Sequence, residues 1–278
     1  MNARILLIGL LTMLVMISAP LQAIGGTTFI GAKSWFGTWD SGVLNWLEKD
    51  IGSSFQSNGV TFNADSNVGS GYMAGPLFGY QTDDNKWSFS FAPMVFSSFK
   101  QDWQGSATSM NLTGSVNLER RDYDLAANYL VSKQFKVFIG YKYQDMDIDF
   151  SLTYTGGMGQ VHDVYHLKSH AHIPTIGVGA VQPIGDKFAI SGQFGFLYSI
   201  LDLKITNSAG KTEDILPIPG PGFNAEINLN YQPMKNLIAQ IGYRYQVFTI
   251  EARGPGRDNI EKSYDITQGP TFTLVYLF

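Results

Sequence analysis

Beyond its first two dozen residues the chain carries its apolar side chains in short alternating runs. The segment FNAEINLNYQ shows the pattern most clearly. Phe223, Ala225, Ile227, Leu229 and Tyr231 fall on one parity; Asn224, Glu226, Asn228 and Asn230 fall on the other. A period of two is that of a strand with one apolar and one polar face. Ten such segments are predicted, near residues 27–36, 70–82, 86–98, 118–131, 135–152, 165–183, 187–205, 221–232, 237–251 and 264–278. The links 82–86 (TDDNK), 132–134 (SKQ), 184–187 (IGDK) and 233–236 (PMKN) read as tight turns. Those between them, 37–69, 99–117, 153–164, 206–220 and 252–263, read as long loops.

An even number of strands joined alternately by short and long connections is the layout of a transmembrane barrel. Aromatic residues agree, since Tyr141 and Tyr143 follow the apolar row Phe135, Val137, Ile139, and Tyr243 and Tyr245 follow Leu237, Ala239, Ile241. Rings with a polar tip favour membrane–water interfaces. The expected fold is therefore all-β, a transmembrane antiparallel up-and-down barrel of about ten strands over residues 24–278. Lipid tolerates no open sheet edge, so the first and last strands must pair. The ending TFTLVYLF then serves as the closing strand, with Phe272, Leu274, Tyr276 and Phe278 facing lipid. That ending resembles the C-terminal signal of bacterial outer-membrane proteins, which implies recognition by the barrel-assembly machinery of a Gram-negative cell.

Residues 1–23 have the form of a secretory signal peptide, with Arg4, the apolar run Ile5 to Ile17, and Leu21-Gln22-Ala23 before a cleavage point. The run is shorter than the roughly 20 residues that a membrane-spanning helix needs. With Arg4 removed, 18 basic and 23 acidic residues leave a net charge of about −5. No basic stripe speaks for nucleic acid. The absence of cysteine means that a closed sheet or large core, not disulfides, must hold the chain. The expected location is the cell outer membrane, with outer-membrane lipid, lipopolysaccharide and small solutes as partners.

With the apolar parity outward, the opposite parity sends Arg120, Asp122, Asp124, Lys142, Glu226, Arg244 and Asp265 into the lumen. A turn at 132–134 sets Asp124 opposite Lys142. Mixed signs argue against a ring selecting one charge. Two functions follow, a passive narrow pore or a filled barrel whose surface loops make the contacts, an adhesin among the possibilities. All four histidines sit in VHDVYHLKSHAH, 161–172. A hairpin near Gly157 pairs Asp149 with His166, Asp147 with Lys168 and Asp145 with His170. His166, His170, His172, Asp145 and Asp149 are thereby candidate metal ligands, since imidazole suits Zn, Cu or Ni. Their parity instead continues the lipid-facing row, which places them on the outer wall. No cofactor is expected.

The runs SFKQDW (98–103), GYKYQ…TGG (140–157) and IPTIGVGA (173–180), with the ten-strand layout, resemble the omptins, outer-membrane proteases. The resemblance implies a paired-acid site near Asp102 and an Asp–His dyad atop a later strand. Lys100 stands at the neighbouring acidic position, and LDLKITNSAGKTED (201–214) holds no histidine. An omptin-like hydrolase is thus the alternative function, lacking its general base. Three further segments stand out. VLNWLEKDI in 37–69 reads as a short amphipathic helix, RGPGRDNIEK (253–262) as a basic loop tip, and LPIPGPG (216–222) as too proline-rich for a central strand.

Overall fold

A computed structural model describes residues 26–42, 45, 62–66, 69–107, 110–156, 159–206, 208–215, 217–253 and 260–278. The predicted signal peptide, the helix expected over VLNWLEKDI and the tip at 254–259 lie outside the described residues.

Fourteen strand segments build ten staves of one closed antiparallel barrel. The first stave is β1 (Thr27–Asp40). The second is β2 (Phe62–Ser66) with β3 (Gly69–Gln81). The third is β4 (Trp87–Met94) with β5 (Phe96–Ala107). Then come β6 (Met110–Leu130), β7 (Phe135–Gly156), β8 (Gly159–Pro183) and β9 (Phe188–Thr206). The short β10 (Thr212–Ile215) and β11 (Pro217–Ile218) lead into β12 (Gly220–Met234), followed by β13 (Leu237–Arg253) and β14 (Ile260–Leu277). The sheet closes where β1 pairs with both β3 and β14, from Phe29↔Leu277 to Asp40↔Ile266 on the β14 side. This pairing satisfies the last strand's backbone groups, and Phe278 itself donates its N–H to Thr28 O at 2.8 Å.

The tight turns lie where the sequence places them. Asn85 adopts a left-handed backbone between β3 and β4 (φ 56°), and Gly185 does so between β8 and β9 (φ 78°). Asn and Gly carry the smallest penalty there. In the first of these turns the Thr82 hydroxyl donates to Asp84, and the Lys86 backbone N–H adds a second bond. Together they hold the Asp84 carboxyl below the usual carboxylate range.

The long connections differ from expectation. Residues 99–117 and 153–164 are almost entirely strand, as β5 pairs with β6 out to Ala107↔Met110 and β7 with β8 out to Gly156↔Gly159. Polar side chains on one face hid these extensions, because alternation continues there with the two faces exchanged. Trp39, assigned to a loop, is the next-to-last residue of β1 and is buried. Pro221 sits within β12 between β9 and β13, contrary to the reading of 216–222. Its missing N–H falls at the start of the strand, and its carbonyl accepts from Thr249 Oγ1 at 3.2 Å. One irregularity re-aims a stave. Met94 pairs with Asp122 but Phe99 with Leu118, so one extra residue is inserted around Val95, a β-bulge.

A belt of outward apolar residues surrounds the turn-side half. Phe91, Leu125, Ile139, Ile176, Phe196 and Ile227 lie in its middle. Trp87, Phe188, Tyr231 and Tyr276 edge it near the turns, and Tyr72, Tyr141, Tyr198 and Tyr243 edge it on the far side. On β7 the belt runs from Phe135 to Tyr143, about nine residues, which matches the length of a tilted membrane-spanning strand. The remaining part of β7 rises roughly 40 Å along the strand beyond that belt. Ile139 is 61% exposed in the centre of the belt. Ile139→Lys is expected to destabilise the barrel by about 2–4 kcal/mol in lipid vesicles, the cost of a midplane cation. Asp147→Lys, above the belt, should change it by less than ~1 kcal/mol in the same urea titration.

Candidate functional site

Constant parity along each strand crosses two environments. On β7 the odd row passes from Phe135, Val137, Ile139, Tyr141 and Tyr143 to Asp145, Asp147 and Asp149. The even row passes from Lys136, Lys142 and Gln144 to Met146, Ile148 and Phe150, the last three all buried. On β9 the outward Phe194, Phe196, Tyr198 and Ile200 give way to Asp202 and Lys204. The inward row there becomes Leu197, Leu201 and Leu203. Below the change the barrel is apolar outside and polar inside; above it the reverse holds, as in a water-soluble sheet protein.

An ion-pair layer lies at the boundary. Arg120 grips Asp122 with two nitrogens, Nε at 2.8 Å and Nη2 at 2.9 Å, and both side chains are fully buried. Such a fork-on-carboxylate pairing fixes both groups in orientation. Arg120 Nη1 also donates to Thr267 Oγ1 at 2.9 Å. Lys142 Nζ donates to the same Asp122 at 3.1 Å and to Gln246 Oε1 at 2.8 Å, and lies 3.4 Å from Asp124. Asp124 in turn accepts from Arg244 at 3.3 Å, and Lys33 pairs with Glu226 at 3.4 Å. The register behind this sets Asp124 opposite Lys142, as the sequence reading expects, and also Glu226 opposite Arg244. Two indoles cover the arginines, Trp35 with its ring centre 4.9 Å from the Arg244 guanidinium and Trp39 5.8 Å from that of Arg120. Trp39 Nε1 also donates to both oxygens of Asp265, each at 3.0 Å.

Above this layer the lumen is filled by an apolar cluster that includes Met73, Phe99, Leu118, Met146, Ile148 and Phe248. Sequence reasoning missed that filling, together with Lys33, Trp35 and Trp39. The signal was present in the inward row Met146, Ile148, Phe150 and in the period-two spacing of Lys33, Trp35 and Trp39. Below the layer, on the turn side, a polar cavity of about 200 Å³ remains, reaching Lys136, Asn128, Gln193 and Gln240.

The histidines lie outside. All four stand on β8, with Asp149↔His166, Asp147↔Lys168 and Asp145↔His170 in register. His166 Nδ1 meets Asp149 at 2.5 Å, His170 Nδ1 is 3.1 Å from Asp145, and Lys168 is 3.7 Å from Asp147. His172 contacts the Tyr141 hydroxyl and stays in the aromatic rim. Arg121 extends the wall sideways, 3.6 Å from Asp145. Among the described residues no group of three or more metal-ligating side chains converges. Asp102 stands on β5 opposite Ser115, with Lys100 two residues away and exposed. The residues 201–214 form the end of β9, a turn and β10.

The architecture is that of outer-membrane β-barrels. No protein-family profile matches the chain, and no curated protein matches it. Solved structures similar to it include the outer membrane protease OmpT from Escherichia coli, 10% identical with a TM-score of 0.45, covering 91% of this chain and 95% of that one. The translocator domain of the autotransporter NalP from Neisseria meningitidis is 10% identical at a TM-score of 0.45, covering 96% and 97%. The outer membrane protein OprG from Pseudomonas aeruginosa is 11% identical at 0.35, covering 92% and 97%. Likeness at this level carries no activity over to this chain.

Proposed function

We propose that the protein is a non-conducting surface barrel of a Gram-negative outer membrane. In this reading the belt anchors the chain and a tall, charged wall presents itself to the outside. The observation that carries the reading is the inside–outside inversion. Among the described residues apolar side chains fill the lumen above Arg120, Asp122 and Lys142, and the inward polar row that continues upward on β14, Asp265 and Ser263, is buried opposite Phe248 and Ile250 of that cluster. A barrel of about this size has an interior that side chains can fill. This favours the structural, surface-contact role over the narrow pore.

Partners of the wall are outer-membrane lipid and lipopolysaccharide at its foot, where Arg121, His170 and Lys168 stand just above the tyrosines. Other macromolecules would meet the hairpin tips, as in an adhesin. Phe272, Leu274, Tyr276 and Phe278 serve as the assembly signal read by the barrel-assembly machinery. An omptin-like hydrolase finds no support in the histidines, which point away from the lumen, and a general base must reach its water. Cleavage of a dibasic peptide by the refolded protein would reverse that judgement.

Conductance in a planar bilayer tests the main reading. The refolded protein is expected to insert and stay silent at low applied voltage. Discrete current steps that disappear on neutralising Arg120 or Arg244 would restore the pore.

A further inference from the structure

The cavity beneath the ion-pair layer contains one cation that the layer does not neutralise. Among the described residues every other lumenal cation has a carboxylate close by. Lys33 has Glu226 at 3.4 Å, Arg120 has Asp122 at 2.8 Å, Lys142 has Asp122 at 3.1 Å, and Arg244 has Asp124 at 3.3 Å. Lys136 has none at ion-pair distance among the described residues, and Glu226 reaches it only through the Gln193 amide between them. Its Nζ donates only to two neutral amide oxygens, Asn128 Oδ1 at 3.0 Å and Gln193 Oε1 at 3.3 Å.

Those two amides are themselves committed. Gln193 Nε2 donates to Glu226 at 3.3 Å, and Asn128 Nδ2 reaches Ser88 O at 3.4 Å. The amide oxygens are thereby turned toward the ammonium and held there. An ammonium carries three donors, so one remains for a further acceptor. Around the cavity Lys33, Lys142 and Arg244 are paired with Glu226, Asp122 and Asp124, which leaves Lys136 as one positive charge in excess. A charge taken out of bulk water calls for a counter-charge. A volume of about 200 Å³ has room for one small anion with a few waters, at ~30 Å³ per water.

We propose that this turn-side cavity is a binding site for a small oxyanion, a carboxylate or phosphate, held by the Lys136 ammonium. The ligand enters from the side of the short turns, since the apolar cluster fills the lumen above. It binds as the missing partner of Lys136, with the oxygen taking the free ammonium donor. The cavity is thus a receptacle closed at one end. This goes beyond the non-conducting reading and does not depend on the surface role.

Isothermal titration of the full chain, refolded in detergent micelles at constant ionic strength, tests the site. Sodium acetate, sodium phosphate and methylammonium chloride serve as separate probes. Saturable binding of one equivalent of acetate or phosphate is expected, and which one saturates names the oxyanion. Lys136→Gln should weaken it at least tenfold, while Lys133→Gln, on the exposed turn outside the cavity, should leave it unchanged. Asn128→Asp supplies an internal carboxylate beside Lys136 at almost constant volume, away from Glu226, and should abolish binding in a barrel that remains folded, which guards against a Lys136 variant that fails to fold. No saturable heat from either anion overturns the proposal, as does binding of methylammonium alone or undiminished affinity in folded Lys136→Gln and Asn128→Asp. A bilayer that conducts would sink the closed-barrel reading and leave this binding result standing, so the two failures are distinguishable.

Discussion

Asp122→Ala is expected to destabilise the folded barrel by about 3–5 kcal/mol, the usual cost of breaking a buried ion pair from one side. The side chain is fully buried and holds two cations at once, Arg120 through both of its oxygens and Lys142 through one. Its removal leaves the Arg120 guanidinium with Thr267 and the face of Trp39. Lys142 keeps Gln246 and the longer contact to Asp124. Arg120 is wholly enclosed, whereas Lys142 borders the turn-side cavity, so the larger part of the cost falls on the guanidinium. Asp147→Ala is the matching control, since it breaks a pair 3.7 Å long whose partners are 68% and 44% exposed. Such pairs contribute ~1 kcal/mol or less. Equilibrium unfolding by urea in lipid vesicles compares the two. If Asp122→Ala lost no more than Asp147→Ala, the layer would have to be hydrated, and the lumen open enough to let water in.

Phe248→Ala tests the other half of the interior and should cost about 3–5 kcal/mol by leaving a void in a packed core. Phe248 is wholly buried, lies opposite Gly222 on β12 and Asp265 on β14, and belongs to the cluster that fills the lumen above the ion pairs. The hole would lie among the cluster's apolar side chains, and its polar neighbour Asp265 already accepts from Trp39 Nε1 with both oxygens, so little is left to hold a water there. The same titration measures the loss. A change under ~1 kcal/mol would mean that Phe248 already meets solvent, and the silence expected in a planar bilayer would lose its structural cause. The two variants probe opposite chemistries of one closed lumen, the first its charges and the second its oil.

Much of the architecture is legible in the chain because a strand has only two faces. Ile139 outward commits Tyr141, Tyr143, Asp145 and Asp149 outward as well, and Arg120 inward commits Asp122 and Asp124. The turns follow for the same local reason, Asn85 and Gly185 being residues that tolerate a left-handed backbone. Strand ends were harder to read. Sequence patterning looks for apolar residues on a fixed face, and in β7 and β9 the apolar face changes sides midway. The extensions of β5, β6, β7 and β8 therefore passed for loops. The place of Trp39 was missed for the related reason that it lies inward near the end of a strand, where the outward row has already turned polar.

The sequence by itself determined the closed antiparallel barrel, its ten staves, the outward histidines and the inward parity of the lumenal charges other than Lys33, because alternation and short turns are local properties. Only the tertiary structure decided what those inward residues meet. Arg120 on β6 finds Thr267 on β14, Arg244 on β13 finds Asp124 on β6, and Lys33 on β1 finds Glu226 on β12. None of these pairs joins neighbouring strands, so none is fixed by register alone. They depend on the circumference and stagger of the closed sheet, which bring distant staves within reach across the lumen. That closure also stacks the apolar inward rows into one plug, and it leaves Lys136 without a carboxylate at ion-pair distance among the described residues.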